Sequence, residues 1–289
     1  MRIYYVSGSP LPSTEASGVN VMRMCDALAG LGHEVTVFAR RNGAGGDASS
    51  VLRTYGIRNP VRLQLLSEAE GVFRHLRYAH AVRSALRTLP PPDLFYGRHA
   101  DAMVAANLTW PAVPMGYEIH GITRGLLRRR LGHWLFGRPS FLSAFAISEA
   151  LISDFRATHR RFAAADITLA RDAAAVDLDP PALTQPLGGR PGARKVGYAG
   201  HLYPGKGMET VSALARRLPQ HDFHVVGGKP DDLRKWRSRT AGLSNLVFHG
   251  HVEHVHVPAY LAAMDVLLAP PQAVTHSAAG RDIGRWMSP

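Results

Sequence analysis

A short glycine-rich loop carries a lysine in the stretch KVGYAGHLYPGKGMETV, residues 195–211. An apolar strand leads into the loop, and a helical pattern starts near Met208. The first N–H groups of a helix lack partners within it, and the helix dipole adds a charge of about +0.5 at the same point. Lys206 contributes a full positive charge there. The loop therefore predicts a cradle for a diphosphate, built from Gly200, His201, Gly205, Lys206 and Gly207.

Two better-known phosphate loops do not match this stretch. A Walker loop needs Ser or Thr directly after Gly-Lys to hold magnesium, whereas Gly207 and Met208 follow Lys206 here. The spacing of the glycines also differs from the GxGxxG fingerprint of dinucleotide-binding domains. On the loop alone, an ordinary turn between a strand and a helix remains the alternative.

The formal net charge of +12 favours a polyanionic neighbour. The arginines concentrate at 74–87 and 124–130. Nucleic acid is disfavoured, because the sequence shows no helix-turn-helix, zinc-ligand spacing or RNP-type aromatic motif. We expect a basic amphipathic surface in the N-terminal half to contact an anionic membrane peripherally. A solvated charged face and binding of phosphorylated small molecules are the alternatives.

The sequence also indicates a compartment. No apolar run approaches the ~20 residues that a membrane-spanning helix needs, and the start MRIYYVSGSP lacks the features of a secretory signal. The single cysteine, Cys25, cannot form a disulfide within one chain. We expect a cytoplasmic protein, or one lying peripherally on the inner face of the membrane.

Short apolar strands alternate with amphipathic helices along the whole chain, which predicts parallel sheets with right-handed crossovers. The first such domain covers 1–172 and includes a flexible loop at 43–50. Residues 173–194 contain four prolines and no periodicity, which is typical of a linker. A second, similar domain covers 195–289. With only about four expected strands, the last at 265–270, it is predicted to be truncated and the chain to be a shortened version of a longer protein.

Four segments resemble the retaining family-four glycosyltransferases of the GT-B fold: SGVNVMRMCDALAGLGHEVTVFAR (17–40), GYEIHG (116–121) with FAISEALISDF (145–155), AGHLYPGKG (199–207) and LVFHGHVEHVHVPAYLAAMDVLLAP (246–270). The resemblance implies α/β architecture with two Rossmann-like doubly wound domains, the second incomplete here. It implies transfer of a hexose from a nucleotide diphosphate sugar, with retention, to a glycan, a lipid-linked acceptor or a small molecule. The donor is a substrate, so no cofactor is implied. No metal is expected either, because Lys206 and the dipole of its helix would supply the charge that neutralises the diphosphate.

The resemblance also assigns roles to residues. Gly18 would let the first loop approach the donor diphosphate, although an N-cap glycine is the alternative. His120, at a strand end, would act at the transferred sugar. Lys206 would neutralise the departing β-phosphate. We expect Glu118 to point to the opposite side of its strand from His120 and to be structural.

Further positions are implied around the nucleotide. Gly228 would allow close approach of the ribose or base, and His251 and Val252 would read the base edge. The family commonly has arginine where this chain has His201. That difference weakens phosphate binding above pH ~6.5, or it marks a different use of the imidazole.

Near its end, the sequence departs from the pattern of this family. The family has two glutamates eight positions apart for the donor sugar and ribose, and no carboxylate stands near Trp286, where the first would fall. The alternative function is therefore a non-catalytic or fragmentary nucleotide-binding protein derived from such an enzyme.

Overall fold

The computed structural model describes residues 1–43, 46–66, 73–122, 125–159, 167–174, 180, 182–275 and 283–286. They belong to two compact units. The N-terminal unit comprises Met1–Ala174 with Trp286–Pro289, and the C-terminal unit comprises Ala175–Arg285. Part of the expected linker, at 175–179 and 181, lies outside the described residues.

The N-terminal unit is built on a parallel sheet in the order β3-β2-β1-β4-β5-β6-β7. Its strands are β1 Arg2–Leu11, β2 Glu34–Arg41, β3 Val61–Leu66, β4 Leu94–Gly97, β5 Met115–Ile119, β6 Phe141–Ala146 and β7 Ile167–Leu169. Its helices are α1 Ala16–Gly30, α2 Ala48–Thr54, α3 Arg74–Leu86, α4 Ala100–Thr109, α5 Leu126–Phe136 and α6 Glu149–Thr158. Parallel strands joined by helices are the arrangement that the sequence alternation predicts.

Two apolar layers hold this sheet. One face packs against α1 and α2, where the buried positions of α1 recur at helical spacing, as at Val21, Met22 and Cys25. The other layer contains α3, α4 and α6, including Tyr78 and Met103. Because helices cover both faces, a central strand such as β5 is buried along its whole length.

The C-terminal unit repeats the plan with a smaller sheet in the order β10-β9-β8-β11. Its strands are β8 Lys195–Ala199, β9 Asp222–Val226, β10 Leu246–Gly250 and β11 Val266–Leu267, and its helices are α7 Met208–Arg217, α8 Pro230–Arg239 and α9 Val257–Ala262. The core gathers apolar residues of β8, β9, α7 and α8, including Trp236.

Two sequence-based expectations were wrong in detail. The loop expected at 43–50 ends in the start of α2, because the side chain of Asp47 accepts a hydrogen bond from Ser50 N at 2.7 Å and caps that helix. The strand expected at 265–270 is shorter in the structure, where β11 comprises only Val266 and Leu267 beside β8. Both residues are exposed, because β11 is an edge strand.

None of the helices that the structure describes combines the length and apolar composition needed to span a lipid bilayer. Helix α5 illustrates this. It buries Gly132 and Leu135 but leaves Leu126 and Leu127 exposed at its start.

Candidate functional site

The strand order marks one position in each sheet where ligands are expected. In the N-terminal unit the chain moves from β1 to β3 and then returns to the other side of β1 with β4. In the C-terminal unit it moves from β8 to β10 and returns beside β8 with β11. Ligands of open parallel sheets bind beyond the carboxyl ends of the strands where the order reverses. The loop after β8 holds Lys206.

The glycines of this loop are fixed by the chain segment that follows β11. Gly205 has φ +89°, and a Cβ there would lie 2.4 Å from the carbonyl oxygen of Val274. Gly207 has φ +94°, and its Cβ would lie 2.1 Å from the carbonyl oxygen of Pro270. Thr275 Oγ1 donates to the carbonyl of Gly205 at 3.1 Å. Both glycines are therefore required by close backbone packing of the loop.

Lys206 lies at the turn into α7. Its Nζ is 5.5 Å from the centre of the Tyr203 ring, a cation–π contact. Burial lowers the pKa of Lys206, because it removes water from the ammonium group. Within the described part of the chain, Lys206 has no carboxylate partner in an ion pair. Its charge is thus available to an anion at the first turn of α7.

The first half of the loop is anchored by two side chains of the core. Tyr198 donates through its hydroxyl to the carbonyl of His201 at 2.6 Å. Trp236 Nε1 donates to the carbonyl of Leu202 at 3.1 Å. The His201 ring stacks on Tyr203, with centroids 5.2 Å apart. These contacts hold the loop backbone in one conformation.

The other predicted residues of the C-terminal unit meet at the same edge of the sheet. Gly200 N donates to the carbonyl of Val226 at 2.9 Å, and Gly227 N donates to that of Gly250 at 2.6 Å. Gly228 has φ +90°, and a Cβ there would lie 2.5 Å from Leu202 Cδ1. His251 and Val252 directly follow β10. The structure thus brings the ends of three neighbouring strands together.

In the N-terminal unit, His120 directly follows β5 and forms a pair with Glu118. His120 Nε2 lies 2.9 Å from Glu118 Oε2, and the Tyr5 hydroxyl donates to the same oxygen at 2.8 Å. The expectation that Glu118 points away from His120 was wrong, because residues two apart in a strand point to the same face. Glu118 is buried, whereas His120 is partly exposed. Glu118 therefore orients the His120 ring.

The surroundings of Glu118 favour its charged form. Burial alone would raise the pKa of Glu118, but the hydrogen bond and charge of His120, the charge of Arg98 and the hydrogen bond of Tyr5 lower it overall. Burial and then the charge of Glu118 raise the pKa of Tyr5 and of Tyr96, so both hydroxyls stay protonated. The sequence analysis did not predict Tyr5, Tyr96 or Arg98 as neighbours of Glu118. The sequence indicates them only by their positions: Tyr5 lies in β1, Tyr96 lies in β4 and Arg98 directly follows β4.

Gly18 occupies the third position of α1, and the N-cap is Glu15, so the N-cap alternative for Gly18 was wrong. A Cβ on Gly18 would lie 2.8 Å from the hydroxyl of Tyr55. That hydroxyl donates to the carbonyl of Ser13 and accepts from its N–H, both at 2.8 Å. Packing against the Tyr55 anchor thus explains the glycine within the unit.

The sequence matches two models of protein families. The model described as Glycosyltransferase Family 4 matches residues 17–172, more than half of the 289-residue chain. The chain belongs to glycosyltransferase family 4. The model described as Glycosyl transferases group 1 matches residues 193–279 of this glycosyltransferase. The sequence matches none of the curated proteins with which it was compared.

Solved structures share the fold of this glycosyltransferase. The Anabaena protein HepE, in complex with UDP and glucose, is 18% identical with a TM-score of 0.63, over 92% of this chain and 73% of that one. A glycosyltransferase from Rickettsia africae is 15% identical with a TM-score of 0.63, over 96% and 74%. The catalytic domain of starch synthase IV from Arabidopsis thaliana, bound to ADP and acarbose, is 11% identical with a TM-score of 0.62, over 94% and 78%.

These comparisons confirm the family and the fold of two Rossmann-like domains that the sequence resemblance implied. The chain is a transferase of glycosyl groups. Retention, truncation and the roles of individual residues stay predictions.

The contact between the buried Glu118 carboxylate and His120 predicts an acid-sensitive contribution to stability. Because the pKa of Glu118 is lower in the folded than in the unfolded chain, its contribution is present above the unfolded value, about 4.5, and is lost as the pH falls through the folded value. We expect Glu118→Gln to reduce the free energy of unfolding at pH 7 by about 1.5–3 kcal/mol. The difference from wild type should shrink below pH ~4.5.

Urea unfolding at several pH values measures this difference. The matched control is Glu149→Gln, which removes a carboxylate exposed in the first turn of α6. A Glu118→Gln deficit that stays constant down to pH 3 would show that the charge of Glu118 contributes nothing.

Proposed function

We propose that this chain moves a hexosyl group from a nucleoside diphosphate sugar to a hydroxyl of an acceptor, with retention of anomeric configuration. The observation that carries the proposal is Lys206, held at the start of α7 in the loop after β8. Membership of glycosyltransferase family 4 supports the reaction class. The printed descriptions of similar structures name UDP with glucose, and ADP with acarbose, which supports a nucleotide-sugar donor and a glycan acceptor.

In this proposal the C-terminal unit binds the donor. Lys206 and the first N–H groups of α7 neutralise the diphosphate, whose negative charge grows as the sugar leaves. Gly200, His201, Gly205 and Gly207 let the loop backbone approach the phosphates. Gly228, His251 and Val252, at the ends of neighbouring strands, receive the ribose and base.

The proposed reaction exchanges two bonds at one carbon. The bond between the anomeric carbon and the β-phosphate oxygen breaks, and its electron pair leaves with the phosphate. The acceptor oxygen bonds to the anomeric carbon on the same face, and the hydroxyl proton passes to the leaving phosphate oxygen. His120, oriented by Glu118 at 2.9 Å, positions the hexose by hydrogen bonding to it. Gly18, in this reading, leaves room for the donor.

The acceptor is proposed to be lipid-linked or to be used at a membrane surface. Phe73 and Leu76 at the start of α3, and Leu126 and Leu127 at the start of α5, are exposed. Arginines flank them, among them Arg74 and Arg128–Arg130. Exposed apolar side chains next to cations suit an anionic leaflet, where each arginine contributes about 1 kcal/mol. In this reading the protein is cytoplasmic and peripheral on the inner membrane face.

The second candidate is a protein that binds nucleotide without turnover. It is favoured by the sequence near Trp286, where the resemblance implies the first of two glutamates and no glutamate is present. Binding and transfer must therefore be measured separately.

Lys206→Ala is expected to weaken the binding of nucleoside diphosphates by about 10-fold or more, because a charge-assisted hydrogen bond is lost. Calorimetric titrations with UDP, GDP and ADP in parallel measure the loss and identify the base. Lys235→Ala removes an equal charge from an exposed position of α8 and should bind like wild type. Equal affinity of Lys206→Ala and wild type for the preferred nucleotide would refute the phosphate-loop assignment.

His120→Ala is expected to retain the nucleotide affinity of wild type but to lose about 100-fold or more of the turnover, because positioning of the sugar is lost. Release of nucleoside diphosphate from UDP-, GDP- and ADP-hexoses measures turnover. His80→Ala, at an exposed position of α3, is the control. If wild type binds nucleotide tightly but never turns over, the second candidate is correct. If His120→Ala loses nucleotide binding and turnover in parallel, His120 has a structural role.

The paired change Leu126→Glu with Leu127→Glu is expected to reduce binding to phosphatidylglycerol vesicles by about 10-fold or more, because each buried leucine contributes about 1.5–3 kcal/mol. Sedimentation with vesicles measures this, and raised salt should weaken the wild-type interaction. Leu31→Glu changes another exposed leucine and should bind like wild type. No preference of wild type for phosphatidylglycerol over phosphatidylcholine would contradict the membrane contact.

A further inference from the structure

A second group of polar side chains lies at the carboxyl edge of the N-terminal sheet, apart from the Glu118–His120 pair. We call it the basic cluster; its members are Arg40, Arg74, His75, His99 and Arg128. Arg40 is the penultimate residue of β2, and its Nε donates to the carbonyl of Gly8 at 2.6 Å. Gly8 has φ +70°, and a Cβ there would lie 2.3 Å from His99 Cδ2. The glycine thus lets β1 pass directly over the His99 ring.

Helix ends contribute to the same place. His75 is in the first turn of α3, and its ring stacks on that of His99, with centroids 5.3 Å apart. His99 is the N-cap of α4. The partial positive charges of two helix N-termini therefore add to the arginine charges.

The cluster has more positive charge than its carboxylate neutralises. Arg128 Nε lies 3.7 Å from Asp101 Oδ2. Neither Arg40 nor Arg74 forms an ion pair with any residue that the structure describes. Burial and then the charge of Arg74 lower the pKa of Arg40. Arg40 is half-buried and Arg74 is exposed, and neither guanidinium group has a counter-charge among the described residues.

The two imidazoles are neutral at physiological pH. Burial and then His75 lower the pKa of His99 to about 3, and burial followed by Arg128 lowers the pKa of His75. Each ring then carries one hydrogen and one acceptor nitrogen.

Four groups form a line of successive contacts: the Ala102 amide, the His99 ring, the His75 ring and the Arg74 guanidinium. This line contains more hydrogens than acceptors. Ala102 N lies 3.3 Å from His99 Nδ1, His99 Nε2 lies 3.0 Å from His75 Nδ1, and His75 Nε2 lies 3.2 Å from Arg74 Nε. The Ala102 amide and the Arg74 guanidinium always donate, and each neutral ring adds one hydrogen. Four hydrogens meet in three contacts. In every tautomer, one N–H therefore faces another donor and needs an acceptor from outside the four groups.

A metal ion fits this arrangement less well than an anion. His75, His99 and Asp101 do bring three potential ligand atoms within 4.8 Å of one another. A cation held between the two rings would take the facing nitrogens, so the outer nitrogens would carry the hydrogens. These would face the N–H groups of Ala102 and Arg74, which makes two donor-to-donor contacts instead of one. The neighbouring arginine charges would repel the cation as well.

We propose that the basic cluster binds a phosphate-class oxyanion, with Arg40, Arg74 and the surplus N–H of the line as donors. Arginine forks match the oxygens of a phosphate, and a dianion balances the two unpaired guanidinium groups. The inference rests on the proposed function in one respect: the oxyanion is a group carried by the acceptor. A phosphomonoester on a soluble acceptor and the headgroup of an anionic lipid share this chemistry.

Titration of Lys206→Ala with inorganic phosphate tests the site, because this background removes the cation of the loop after β8. Long-range ¹H–¹⁵N spectra of the imidazoles report on His75 and His99 individually. We expect phosphate to shift both sets of signals and Arg74→Gln to weaken the apparent affinity about 10-fold or more. Arg87→Gln removes the same charge at the far end of α3, about 20 Å away, and should leave the affinity within about twofold.

Three results would overturn the proposal: no phosphate-dependent shift of either ring, equal weakening by Arg74→Gln and Arg87→Gln, or shifts with Zn²⁺ but not with phosphate. Thermal unfolding of each variant checks that it folds. Glycerol phosphate and phosphatidylglycerol vesicles, each against its uncharged counterpart, then distinguish the two sources. Competition by either supports the site.

A titration of the wild-type chain with UDP separates this inference from the proposed function. UDP binding without phosphate binding at the cluster would refute the cluster alone. Phosphate binding at the cluster without nucleotide binding elsewhere would leave an oxyanion site and refute the donor role of Lys206.

Discussion

In each unit, the first strand pairs in parallel with a strand on either side, and this pairing determines where the loops with the functional side chains lie. Because β1 pairs with β2 and β4, and β8 pairs with β9 and β11, the loops that follow these strands leave from one edge of each sheet. Lys206, His120 and the basic cluster all occupy such edges. The close contacts at Gly97 and Gly227, where a Cβ would lie 2.3 Å from a backbone oxygen, show how tightly the strand ends must approach. The chemistry of the chain thus depends first on its backbone pairing.

Much of this could be predicted from sequence, because apolar period and turn residues act locally. The strand at 246–250 and the helix starting at Met208 were expected and are present. Tertiary relations were harder to predict. The carboxylate of Glu118 was expected to be merely structural, but the hydroxyl of Tyr5, 113 positions away, and the His120 ring both bond to it. The basic cluster was also missed, since Arg40, Arg74 and His99 approach one another only through the sheet order.

Packing within each unit explains glycines that the sequence analysis assigned to ligand binding. Gly205 and Gly207 were interpreted as parts of the diphosphate cradle, and Gly18 as letting the first loop approach the donor. The structure shows a nearer reason at each: backbone of 270–275 for the first two and the Tyr55 hydroxyl for the third. Packing and ligand approach are not exclusive, because a loop compressed against its neighbours also holds its N–H groups in fixed directions. Lys206 therefore carries the functional argument, and the glycines carry the conformational one.

Trp286 has a consequence for how the molecule is made. Its indole N–H donates to Asp154 at 2.7 Å, its carbonyl accepts from Ser148 at 3.1 Å, and its ring packs on the core of the N-terminal unit. In the sequence, however, it follows the whole described part of the C-terminal unit. A ribosome releases the chain from its N-terminus onward. The N-terminal unit is synthesised first. Part of the α6 surface in this unit therefore stays uncovered until the C-terminal unit has emerged from the ribosome.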